Sequence, residues 1–212
     1  LGYRIEIAPI KDSGRTFISK GMVKRAKKLA KQNIDKIKNL INSENVLVGI
    51  EPSSLLSFRD EYPLLVEEDI EQLNSNIYLF DEFFAKEIEQ NNISAEQFTE
   101  KEEKILLHGH CQQKALIGSV YMEKMLSLPK NYSVDVIPSG CCGMAGSYGY
   151  EKRHYEKSKQ IADLHLTKAI NKADKSTIIS APGTSCREQI KHFTQRKALH
   201  PIEIMYNALK TK

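Results

Sequence analysis

Three short apolar runs in the second half of the chain each end in a turn of Gly, Pro or Ser, and each turn delivers cysteine. Ile105-Leu106-Leu107 leads through His108-Gly109-His110 to Cys111. Val134-Asp135-Val136-Ile137 leads through Pro138-Ser139-Gly140 to the adjacent pair Cys141-Cys142, closed by Gly143. Ile178-Ile179 leads through Ser180-Ala181-Pro182-Gly183-Thr184-Ser185 to Cys186. Runs of this length bounded by turn residues predict buried strands. In an open parallel sheet, ligands gather in the crevice outside the carboxyl ends of the strands. All four cysteines of the chain are therefore expected at one place, as a metal or cluster site.

Other uses of cysteine fit less well. Adjacent cysteines cannot readily bridge each other, and long-range disulfides need an oxidising compartment. Any one cysteine could serve as a small buried hydrophobe, but a set of four, each after an apolar run, favours the shared site. The chain opens on Leu1 rather than Met, so its start is expected to be cut and says nothing of targeting.

The 212 residues suffice for one large or two small domains, and 41% hydrophobic with 27% charged residues is ordinary for a soluble globular protein. No apolar run approaches the roughly 20 residues of a membrane helix. The net charge of +4 is mild. Lys20, Lys24, Lys27, Lys28 and Lys31 alternate with Val23, Leu29, Ile34 and Ile37, which describes a solvated helix face without stacking aromatics. Nucleic acid is not an expected partner.

The first part of the chain repeats the last. In the second copy, Val134–Pro138 precedes Gly140-Cys141-Cys142-Gly143, a long helix, then Thr177-Ile178-Ile179 and Thr184-Ser185-Cys186. In the first, Arg4–Pro9 precedes Lys11-Asp12-Ser13-Gly14, a long helix, then Val46–Ile50 and Pro52-Ser53-Ser54. Gly14 stands where Gly143 stands and Ser54 where Cys186 stands, so the first copy lacks every thiolate. Apolar residues spaced near three and four predict helices from Lys20 to Ile41 and from Glu151 to Ala173. Strand–helix–strand alternation predicts parallel pairing with right-handed crossovers. The expected architecture is α/β: two duplicated parallel-sheet, Rossmann-like subdomains, a degenerate one over 1–100 and a cysteine-bearing one over 101–212. Asn91 to Glu103 is expected to connect them on the surface, and His200-Pro201 to open a closing helix.

These residues resemble the CCG-type cysteine-rich domain, a family found in the iron–sulfur subunit of glycolate oxidase, in FAD-linked D-lactate dehydrogenases and in the B subunit of heterodisulfide reductase. The resemblance rests on 107–116 around Cys111, on 139–149 around Cys141-Cys142, on Gly183–Ile190, and in the first half on Ser13-Gly14-Arg15, Gly49–Ser54 and Arg59–Tyr62. It implies electron transfer: a flavin domain oxidises a 2-hydroxy acid, ferredoxin-type clusters carry electrons onward, and paired CCG domains sit near the exit. It further implies a 4Fe-4S cluster on Cys111, Cys141, Cys142 and Cys186, FAD only on a missing part or a partner chain, and a ferredoxin-type module as partner. A quinone acceptor and a cytoplasmic location peripheral to the inner membrane face follow from the same resemblance. Where the family often carries cysteine, Ser54 stands here, and Gly183 replaces the first cysteine of a Cys-x-x-Cys ending. Four thiolates are thus the most this chain supplies, and with no flavin domain it is not expected to act alone or to hold catalytic residues.

Thiolates suit zinc as well as iron–sulfur clusters, so a structural zinc domain is the first alternative and a thiol-redox or disulfide-handling module the second. Around the ligands, His108 and His110 are candidate donors, proton relays or hydrogen-bonding neighbours of a thiolate. Gly140 and Gly143 would admit backbone N–H groups close to sulfur or merely shape a turn, and Arg187 would stabilise thiolate charge or face solvent.

Overall fold

The structure, a computed structural model, describes residues 1–210 and is α/β with parallel sheets. The chain divides into two compact units, Leu1–Phe83 and Phe84–Lys212.

In the first unit α1 (Arg15–Ser19) and α2 (Val23–Ile37) precede β1 (Leu47–Gly49), α3 (Pro52–Arg59), α4 (Tyr62–Leu65), α5 (Glu71–Asn74) and β2 (Ile77–Leu79). β1 and β2 pair in parallel, Leu47 opposite Ile77. Ala26, Ala30, Ile34 and Ile37 form the buried stripe of α2, while its lysines stay out. That helix is shorter at both ends than the Lys20–Ile41 its apolar spacing predicts. The strand expected over Arg4–Pro9 is not one: the segment has no sheet partner, and Ile5 and Ile7 are 85% and 96% exposed. Alternation of Tyr3, Ile5 and Ile7 with Arg4 and Glu6 provides a strand pattern, but a strand exists only where its N–H and C=O groups find a ladder.

The division between units falls inside α6 (Phe80–Glu89). Residues 91–103, expected on the surface as a connection, belong to the second unit, and part of them is buried in it. Phe98 is fully buried, its ring 6.2 Å from that of Phe84, and the Thr99 N–H donates to the Ala208 carbonyl at 2.7 Å. There follow β3 (Glu103–Leu107), α7 (Cys111–Leu116), α8 (Val120–Leu126), β4 (Tyr132–Val136), α9 (Tyr155–Leu164), α10 (Leu166–Lys172), β5 (Ile178–Ser180), α11 (Thr184–Thr194), β6 (Ala198–Leu199) and α12 (Pro201–Ala208).

All pairings in this second sheet are parallel and the order is β4-β3-β5-β6. The chain thus steps from β3 to one side, then crosses back to its other side, which makes the carboxyl end of β3 a topological switch point. Pairing runs on past the strands: Ile137 N–H donates to Leu107 O and His108 N–H to Ser180 O, both at 2.8 Å. The turns that carry cysteine are therefore tied to one another by the sheet. The expected Glu151–Ala173 helix breaks at His165, whose φ of −139° leaves the helical region. The break re-phases the chain so that Leu166 and Ile170 enter a core with Ile137, Ile179 and Ile190 while Leu164 stays exposed.

Candidate metal centre

Each cysteine lies where a parallel strand gives way to a loop or helix. Cys111 opens α7, three residues beyond the last hydrogen bond of β3. Cys141 and Cys142 lie in the loop after β4, and Cys186 is the third residue of α11, after β5. Cys111 and Cys141 are half-buried, whereas Cys142 and Cys186 are 4% and 1% exposed. All four thiols are free.

The sulfurs form a hydrogen-bonded row, Cys111 to Cys141 to Cys142 to Cys186. Cys141 is held well below the ordinary thiol range, first by hydrogen bonds from Cys111 and Cys142, then by backbone N–H groups of Gly143 and Ala145, with burial opposing. The Gly143 N–H reaches its sulfur at 3.2 Å. Cys186 is likewise lowered, first by its Cys142 neighbour and then, against burial, by His108 and His110. Cys111 and Cys142 are pushed up because they donate within the row, and burial adds to this. The row thus alternates sulfurs raised and lowered from the ordinary thiol range, as expected of close thiols that share protons instead of accumulating four charges.

Imidazole completes the buried end. A ring nitrogen of His108 and the sulfurs of Cys142 and Cys186 all lie within 4.8 Å of one another. His108 is fully buried, and its Nδ1 is 2.8 Å from Ser139 Oγ. The His110 ring lies against the Gly183 backbone beside Cys186, so close that a Cβ on Gly183 would stand 2.6 Å from His110 Cδ2 and 3.2 Å from the Cys186 sulfur.

The remaining predicted neighbours divide. Gly143 is required: its φ is +98°, and a Cβ there would run into the Ser158 carbonyl. Gly140 is not, since nothing lies within 4 Å of a Cβ placed there. Arg187 turns away from the thiols; its guanidinium donates to Ala181 O at 3.0 Å, Pro182 O at 2.6 Å and Thr184 Oγ1 at 3.2 Å, holding the turn before α11.

Sequence reasoning did not single out the residues that fix the cysteine loop. Lys114 Nζ donates to Ser139 O and, at 2.9 Å, to Gly140 O. Gln189 Nε2 donates to Cys142 O at 3.0 Å and to Ser158 Oγ at 2.8 Å, and Ser158 Oγ donates to Gly143 O at 2.8 Å. A signal was present: Lys114 and Gln189 each stand three residues after a cysteine in the first turn of a helix, hence on the same face.

The donor set fits a thiophilic metal group. It offers four free thiols, two already inclined to ionise, and a fully buried imidazole nitrogen, His108 Nε2, without an oxygen or nitrogen partner. Residues 105–191 match the family model described as a cysteine-rich domain, CCG. Over 211 residues the chain is 28% identical to D-2-hydroxyglutarate dehydrogenase of Escherichia coli (strain K12), covering 99% of this chain and 20% of that protein. It is 29% identical to the enzyme of the same name from Pseudomonas putida, covering 97% of this chain and 19% of the relative. It is 26% identical to the C subunit of the anaerobic glycerol-3-phosphate dehydrogenase of E. coli K12, covering 92% and 49%. The chain thus spans about a fifth of the hydroxyglutarate dehydrogenases and about half of the glycerol-3-phosphate dehydrogenase polypeptide. No solved structure matches it significantly. The similarity to the CCG cysteine-rich family thus lies in the cysteine-bearing stretch, residues 105–191.

Proposed function

We propose that this chain is an electron-transfer portion of a flavin-linked 2-hydroxy-acid oxidoreductase, and that Cys111, Cys141, Cys142 and Cys186 hold a 4Fe-4S cluster. The observation that carries this is the meeting of four free thiols at the carboxyl ends of three adjacent parallel strands. The dehydrogenase names of the relatives supply the redox context. When bound, the cluster would supply one-electron carriage. The chain's own contribution is to present sulfur from rigid strand ends, to offer Gly143 and Ala145 N–H groups to Cys141, and to keep water from Cys142 and Cys186. FAD and a ferredoxin-type cluster module belong to the partner or to the remainder of a longer chain. The acceptor is a quinone, reached at the inner face of the membrane from the cytoplasm. Among the described residues no helix is long and apolar enough to cross a membrane.

The first unit reads as a degenerate copy of the second. Gly14 and Gly143 both adopt positive φ, +76° and +98°. Ser54 and Cys186 each stand third in the helix that follows a parallel strand. Where the second unit has sulfur, the first has a polar clasp. Asn33 Nδ2 donates to Asp12 O and to the Tyr62 hydroxyl, and that hydroxyl donates to Ser13 O, each at 2.8 Å.

Zinc is the second reading, favoured by the 4.8 Å grouping of His108, Cys142 and Cys186, which suits one small ion. Metal and acid-labile sulfide content, with a visible spectrum, on protein prepared without oxygen tests both. About four iron and four sulfide per chain, lost in Cys142→Ser, supports the cluster. One zinc without sulfide overturns it in favour of a metal-stapled scaffold.

A further inference from the structure

A four-thiolate site has no need of nitrogen, yet this one contains a buried imidazole beside its two most buried sulfurs. His108 follows directly on β3, and its N–H is committed to Ser180 O in the sheet ladder. The side chain consequently has no freedom to swing to solvent and is fully buried. Its Nδ1 is engaged with Ser139 Oγ at 2.8 Å, while its Nε2 meets no oxygen or nitrogen partner and the ring interacts instead with the Cys186 sulfur, whose pKa it helps to lower. A buried polar atom that meets no oxygen or nitrogen partner is costly, a cost that a bound metal would remove. The ring stands beside the two most buried sulfurs, one donor atom from each of the three residues lying within 4.8 Å of the others; with Nδ1 on Ser139, Nε2 is the nitrogen left to be that donor. Donors held tetrahedrally at about 2.0–2.3 Å from a metal stand about 3.3–3.8 Å apart, within the 4.8 Å bound on this set.

We propose that His108 is itself a donor to the metal through Nε2, making the site four thiolates and one imidazole, with Ser139 as the residue that positions the ring. The inference rests on the metal-centre reading above, whichever metal is bound. With Nδ1–H donating to Ser139 Oγ, the lone pair lies on Nε2, the arrangement in which a hydrogen bond at one ring nitrogen fixes the other for coordination. Lys114 contributes by holding the Ser139 carbonyl and so the loop that carries the hydroxyl. His110 is left out of the donor set: its Nδ1 is also buried without an oxygen or nitrogen partner, but the ring packs on Gly183, outside the grouping of His108, Cys142 and Cys186.

The full chain grown with [15N]histidine, prepared without oxygen and reduced, gives the decisive measurement. Pulsed paramagnetic resonance on an iron-loaded sample is expected to show a nitrogen hyperfine coupling that changes between 14N and 15N histidine and disappears in His108→Gln with iron retained. Ser139→Ala, which spares the donors, is expected to keep the coupling while lowering metal affinity about tenfold or more. Absence of a histidine coupling in the unaltered protein, which needs no variant to fold, overturns the proposal, as does its persistence in His108→Gln. If the protein holds zinc without sulfide, the cluster reading fails on its own. X-ray absorption at the zinc edge then decides the present proposal: one nitrogen at about 2.0–2.1 Å beside sulfur at about 2.3 Å upholds it, and an all-sulfur shell overturns it. Protein that binds neither metal overturns both.

Discussion

At the scale of single residues, the two glycines around the cysteine pair make a controlled comparison. Gly143 holds φ at +98° and its α carbon faces the Ser158 carbonyl, whereas Gly140 has open space where a Cβ would go. Gly143→Ala combines a left-handed backbone with a steric overlap, so a loss of about 2–4 kcal/mol is expected. Gly140→Ala should stay within about 0.5 kcal/mol. Denaturant midpoints measure both, and equal effects would refute the assignment. Tyr62 makes a second case. Burial pushes its phenol up to about 12 from 10.0, against the lowering effect of Asn33. An acid whose folded value is raised keeps its proton in the folded state longer than in the unfolded one. Its stabilisation is therefore complete below pH 10 and is lost as pH rises from 10 towards 12. A rise of that size is equivalent to at most about 2.7 kcal/mol. The first unit should weaken steeply over that window, and Tyr62→Phe should flatten the pH dependence while costing about 1 kcal/mol at neutral pH. Spectroscopic unfolding at stepped alkaline pH reads the difference.

At the scale of elements, α11 does two jobs with residues three apart. Cys186 contributes sulfur, and one turn later Gln189 grips the Cys142 carbonyl and Ser158. Gln189→Leu keeps the volume but leaves those acceptors unmet, with a cost of about 1–3 kcal/mol. It should also lower metal content, because Cys142 is no longer held to the helix that carries Cys186. Metal per chain after a chelator challenge checks the second effect. The strands around the site were legible because β3, β4 and β5 are apolar runs ended by turn residues, and because each turn carries cysteine. The segment Arg4–Pro9 has as good a local pattern, yet a strand depends on a ladder partner that no local pattern specifies. The break at His165 was equally hidden, since no Gly or Pro marks it and only the burial of Leu166 and Ile170 explains it. Of the site, the sulfurs and His108 could be named in advance. The amide, hydroxyl and ammonium groups that aim them could not, because such side chains look like ordinary solvated residues until the loops close over them.

At the scale of the whole molecule, the proposed metal site would couple binding to folding in the unit that carries the thiols. The sulfurs of Cys111 and Cys142 are pushed up and keep their protons, while those of Cys141 and Cys186 are lowered. Coordination requires all four as thiolates, so with two of them pushed up loading should release protons and affinity should rise with pH. Calorimetry in buffers of different ionisation enthalpy measures the release, and a pH-independent affinity would contradict the alternating row. The free energy of coordination stabilises only what is organised around the ligands. β3, β4 and β5 are joined to the ligand loops by hydrogen bonds that continue their ladders, whereas β1 and β2 belong to a unit without thiols. Amide hydrogen exchange with and without metal should therefore show protection rising across 103–107, 132–136 and 178–180 and unchanged at 47–49 and 77–79. A uniform rise over both sets would mean that the two units open as one cooperative body, and that the metal's influence is not confined to the sheet that presents its ligands.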